Sequence, residues 1–110
     1  MERFKTTKKI IAAKRCKMLS AIPVKIEGMK KEDIDKEVLR VGMMAELDAV
    51  SLYEQLAAMT KNSGIKKIFL DIAKEEKTHM GEFQALLLSL DPEQKKELEN
   101  GRSEVAEKLG

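Results

Sequence analysis

Over two long stretches of this chain, apolar residues recur in steps of three, four and seven, and polar residues fill the gaps. The first stretch reads Leu39, Met43, Leu47, Val50 and Ala57, with Glu46 and Tyr53 on the same line, and predicts a helix over about residues 31–60. Glu32, Asp33 and Asp35 stand near its start, where the helix macrodipole favours negative charge. Lys61-Asn62-Ser63-Gly64 is a short polar turn. The second stretch reads Phe69, Ile72, Ala73, Glu76, His79, Met80, Phe83, Leu86, Leu87 and Leu90, and predicts a helix over about 64–90. Asp91-Pro92 ends it and starts a third helix over about 92–108, with Asp91 as N-cap and Pro92 at the first helical position. That helix is thinly apolar (Leu98, Val105, Leu109) and is expected to pack peripherally. Met43, Met44, Met59 and Met80 read as flexible core filler.

A few residues join the two long helices, so they are expected to lie antiparallel as a hairpin. Six Gly and two Pro are too few for a chain of short strands and turns, which supports an all-α class. One hundred and ten residues make one small domain, read as 29–110. Residues 1–28 read as a basic extension and an extended connection, with Met18 a possible alternative start.

Charge is divided unevenly along the chain. Residues 1–17 hold seven Lys or Arg against one Glu, and the remainder holds 14 against 18. The domain is therefore mildly acidic behind a basic arm. No aromatic or groove-reading motif accompanies that arm, so nucleic acid is not an expected partner. No apolar run is long enough to span a membrane. A single cysteine, Cys16, permits no internal disulfide and no cysteine-based zinc site, which fits a reducing cytoplasm.

The chemistry lies inside the apolar stripes. Glu76 and His79, the only histidine, form a Glu-x-x-His step on the greasy face of the second helix. From Asn62 at the turn, Glu46 lies 16 residues back, and Glu76 and His79 lie 14 and 17 forward. At the rise of an α-helix all three fall about 21 to 26 Å from the turn. Ionised carboxylates in an apolar seam must be protonated, paired or given a cation. Carboxylate with imidazole suits Fe or Mn, and no thiolate set for structural zinc exists. A full di-iron carboxylate site takes a Glu from each of two helices and a Glu-x-x-His from each of two more. This chain holds half of that set. Two copies about a two-fold axis would complete both the site and a ferritin-like four-helix bundle. Tyr53, seven residues after Glu46, is placed to hydrogen-bond a ligand, to lend an electron, or simply to fill the core.

Two segments carry a family resemblance: Met44-Ala45-Glu46-Leu47-Asp48-Ala49-Val50-Ser51-Leu52-Tyr53-Glu54 and Ala73-Lys74-Glu75-Glu76-Lys77-Thr78-His79. They resemble the encapsulated ferritins, ferritin-like proteins housed in encapsulin shells, over roughly residues 29–110. The resemblance implies a helical hairpin with an extra C-terminal helix, a di-iron ferroxidase centre between two chains, and dimers assembled in a ring, commonly a decamer. It implies iron storage in the cytoplasm within an encapsulin nanocompartment. It assigns Glu46, Glu76 and His79 as metal ligands, with Mn, Zn or Ca as substitutes for Fe, and Tyr53 as the nearby tyrosine. Asp48 is a candidate for guiding iron inward, although Ala45 stands where the family often has another acid. No shell-targeting tail is recognisable after Leu109-Gly110, and the basic start is unlike the family's. Two rival readings stay open: a ferritin-like di-metal peroxidase or oxygenase, and a non-catalytic helical module whose metal staples an assembly. Glu75, beside Lys74 and off the stripe, reads as solvated.

Overall fold

A computed structural model describes residues 27–110. The basic segment 1–17, Cys16 and the expected connection as far as residue 26 lie outside the described residues. Among the described residues three helices follow one another: α1 (Lys31–Met59), α2 (Ser63–Leu90) and α3 (Pro92–Leu109). The chain is all-α, with no strand among the described residues. No helix among them is long and apolar enough to cross a membrane.

Local chemistry fixes each boundary. Gly28 turns the chain just before α1 with φ +83°, a left-handed conformation that glycine adopts without a Cβ penalty. No side chain caps α1. The Lys30 carbonyl accepts from the Asp33 and Ile34 N–H groups, and Glu32 and Asp33 supply negative charge in the first turn. At the hairpin, Asn62 is the N-cap of α2, its side-chain oxygen accepting from Ile65 N–H at 3.0 Å. Ser63, expected in the turn, therefore already belongs to α2, which starts one residue before the expected 64. Asp91 serves two helices. Its Oδ1 accepts from Gln94 N–H at 3.0 Å to cap α3, and its Oδ2 accepts from Arg40 on α1 at 3.3 Å. Pro92 sits at the first helical position, where its missing N–H costs nothing.

The two long helices pack along each other, and α3 touches the hairpin far less. The buried core is small: Val50, Ala57, Ala73 and Leu87. No residue of α3 is buried, as its thin apolar content implies. Several stripe positions expected inside are open in this single chain, including Leu47, Leu86 and Leu90. Met44 and Met59, read as core filler, are also exposed, Met59 at 78%. Two helices in contact can cover only one narrow face of each other, and these stripes are wider than that face.

The junction offers a direct check. Asp91→Ala removes the α3 cap and Arg40's cross-helix partner together. It should cost about 1 kcal/mol of stability. Hydrogen exchange should show α3 losing protection while the centre of the hairpin keeps it.

Candidate metal centre

The antiparallel hairpin brings Glu46 on α1 level with Glu76 and His79 on α2. Potential ligand atoms of the three residues lie within 4.8 Å of one another. His79 Nδ1 is 3.6 Å from Glu76 Oε1 and 3.7 Å from Glu46 Oε2. The two carboxylates are mostly covered, their side chains 16% and 20% exposed, while the imidazole is 46% exposed. The cluster therefore has an inner wall of carboxylate and an outer edge that faces solvent in the single chain.

The electrostatics are strained in one direction. The Glu76 carboxyl, near enough to share a proton with Glu46, raises the Glu46 pKa above its ordinary 4.5. Partial burial and the negative charge of Glu76 push the same way, Glu82 adds to them, and His79 opposes. Glu46 Oε2 is shut from solvent and has no hydrogen-bond partner among the described residues. A native structure rarely leaves a buried carboxylate oxygen unanswered. Two oxygen donors and a nitrogen converging beside that oxygen fit a divalent cation. Two ligand atoms each about 2.1 Å from one ion stand about 3 to 4 Å apart, as the His79 pairs do.

Tyr53 lies on the same side of α1, two turns nearer the hairpin tip. Its ring packs against Phe69 with centroids 6.0 Å apart and planes tilted by 37°. Among the described residues it makes no hydrogen bond to Glu46, Glu76 or His79, so the packing is what the structure records for it. Glu75 is exposed, as its position off the stripe implies, and Asp48 is half-buried. The sequence reading passed over Glu82, three residues after His79, whose charge reaches Glu46. Its signal was the series Glu76, His79, Glu82 in steps of three along one side of α2. Lys77, beside the site in sequence, reaches back to Glu54 on α1 at 3.1 Å.

Comparisons with known proteins agree with this architecture. The family model described as Rubrerythrin matches residues 37–109. The chain is 51% identical over 96 residues to the ferritin-like-encapsulin shell fusion protein of Pyrococcus furiosus, covering 84% of this chain and 28% of that protein. It is 39% identical over 56 residues to the encapsulin nanocompartment cargo protein EncC of Myxococcus xanthus, covering 51% of this chain and 43% of that protein. It thus spans less than half the length of either relative. Among solved structures, the encapsulated ferritin domain from Pyrococcus furiosus superposes with a TM-score of 0.70 and 47% identity, over 77% of this chain and 87% of that one. The chain belongs to the rubrerythrin family of ferritin-like proteins and, within it, to the encapsulated ferritins.

The raised Glu46 pKa has a definite sign for stability. A folded-state pKa above the unfolded value favours the metal-free fold below the ordinary carboxylate pKa. That contribution is lost as pH rises through the raised value. Glu46→Gln keeps the shape and removes the titration. In metal-free protein it should raise the thermal midpoint at neutral pH, and the difference from wild type should shrink as pH falls toward 4.5. A midpoint lowered by the substitution at neutral pH would contradict the like-charge account.

Proposed function

We propose that this protein is a ferroxidase, oxidising Fe(II) to Fe(III) with O2 at a di-iron site shared between two copies of the chain. The observation that carries the reading is the convergence of Glu46, Glu76 and His79 around a buried oxygen without a partner. One chain offers three donors on a face whose outer edge is open. A second copy related by a two-fold axis would bring the same three donors to the other side and close that edge. Four carboxylates would then balance two divalent substrate ions.

Each residue has a distinct task. Glu46 and Glu76 supply negative charge that draws Fe(II) in and compensates the greater charge of Fe(III). Because Nδ1 of His79 faces the carboxylates, ligation through it requires the ring proton on Nε2, at the exposed edge. Two Fe(II) ions held together can each pass one electron to the same O2. Tyr53 is the nearby oxidisable ring, held in place by Phe69. Asp48 is the proposed guide for incoming iron. Fe(III) then leaves for mineral storage. The names of the relatives tie them to encapsulin, which supports an encapsulin shell as the partner and its cytoplasmic interior as the destination. Exposed apolar residues away from the donors, among them Met44 and Leu98, supply surface for joining dimers into a ring, with a decamer the proposed size.

Anaerobic loading with Fe(II), followed by O2, tests the chemistry. Oxygen uptake and Fe(III) absorbance should rise well above the rate of iron alone, and Glu76→Ala should lower the rate by roughly 100-fold or more. Tyr53→Phe, which keeps the ring on Phe69, should leave metal binding unchanged. A rate indifferent to Glu76→Ala would sink the reading. Native mass measurement checks the sharing independently: a stable monomer holding two irons would contradict it.

A further inference from the structure

We infer that Gly42 and Phe83 form a spacer that sets how far Glu46 stands from Glu76 and His79, which makes both of them positioning residues for metal binding. The inference rests on the proposed donor set. Gly42 is four residues before Glu46 and Phe83 is four after His79, so the pair occupies the helical turn next to the donors, away from the hairpin loop.

The contact between them is unusually close. A Cβ placed on Gly42 would meet Phe83 Cδ2 at 3.2 Å and Cε2 at 3.3 Å. Apolar carbons rest at about 3.5 to 4.0 Å. The ring therefore lies against bare α1 backbone in space that a methyl group would take.

Helix formation gives no reason for a glycine here. Inside a helix it is less favourable than alanine. Gly42 does not have the positive φ that would demand glycine; among the described residues only Gly28 has one. Gly81 on α2 makes a useful contrast, because a Cβ there would meet nothing within 4 Å. Close approach of the Phe83 ring is what Gly42 provides. The donor pair that spans the two helices, His79 Nδ1 and Glu46 Oε2 at 3.7 Å, needs that approach held within a few tenths of an ångström. A fixed aromatic thickness against a fixed backbone, one turn away, holds it.

Cobalt(II) titration of the full chain, followed by visible absorption and paired with thermal melts and native mass, tests the spacer. Gly42→Ala should fold, with a thermal midpoint no lower than that of wild type less about 2 °C. Its Co(II) affinity should fall roughly tenfold, and the Co(II) band should change shape. Adding Phe83→Leu should bring the affinity back to within about threefold of wild type. Wild-type affinity in Gly42→Ala would overturn the inference. So would failure of the double variant to recover, or an affinity loss that merely follows loss of paired chains. If Gly42→Ala does not fold, Phe83→Ala decides: unchanged affinity and band in that variant would overturn the spacer. Glu76→Ala keeps the two claims apart. If it binds Co(II) as wild type does, the donor set itself is wrong, whatever Gly42→Ala shows.

Discussion

Glu46 and Glu76 bring like charges together in a seam lined by Val50, Ala73 and other apolar residues, and the rest of the structure answers to that crowding. The metal-free chain meets it in part by raising the Glu46 pKa, which eases the burden of two neighbouring negative charges. That response is incomplete, because Glu46 Oε2 still lacks a partner among the described residues. The nearest neutralising group, His79, stands at 3.6 and 3.7 Å, beyond a good hydrogen bond to either oxygen. Separations of this kind leave room for an ion between the groups rather than for bonds among them. The hairpin provides the rest of the arrangement. Its length places the donors far from the loop, and the short Asn62-capped turn fixes the helix register on which their meeting depends.

The same hairpin is poor in core. Four of the described residues are buried and two of them are alanines, so the seam is narrow and the helices lie close. Close helices suit short carboxylate side chains that must meet. They also leave Leu86, Leu90 and Val38 open around a groove of about 290 Å³, two to three helical turns from the donors. Arg40 and Asp91 address a separate problem. Helix α3 has too little apolar surface to hold its own angle, and one ion pair ties its capping residue back to α1. An exposed pair of this kind adds little stability by itself. Here it acts on geometry, since Asp91 already caps the helix that it steers.

Most of this was legible in the order of residue types. Steps of three, four and seven placed the two long helices, and the Asp91-Pro92 junction and the start of α3 followed from capping chemistry. Height matching across the turn brought Glu46 to Glu76 and His79 from residue counts, because helix rise is nearly constant. Less legible was anything that depends on how wide a buried face is. Leu47, Leu86 and Met59 belong to apolar stripes, and periodicity does not say that a two-helix contact covers only part of a stripe. Tyr53 shows a related limit. Its position on the helix was plain, but spacing could not reveal that its ring would lie on Phe69 rather than bond to a donor. Gly42 carried no signal as a single letter. Its meaning exists only beside the Phe83 ring.

Seen together, the small core and the crowded carboxylates point to one division of labour. A chain that fully buried Glu46 and Glu76 within its own fold would bear their desolvation in every metal-free molecule. Leaving His79 and one edge of the site open lets water bear part of that cost until an ion arrives. On the proposed reading, a second copy then covers the open edge and the exposed leucines in one step. Apolar burial between chains and charge neutralisation by metal would reinforce each other, since each removes what opposes the other. Such coupling is reciprocal: whatever factor by which the metal favours pairing of chains, pairing favours the metal by the same factor.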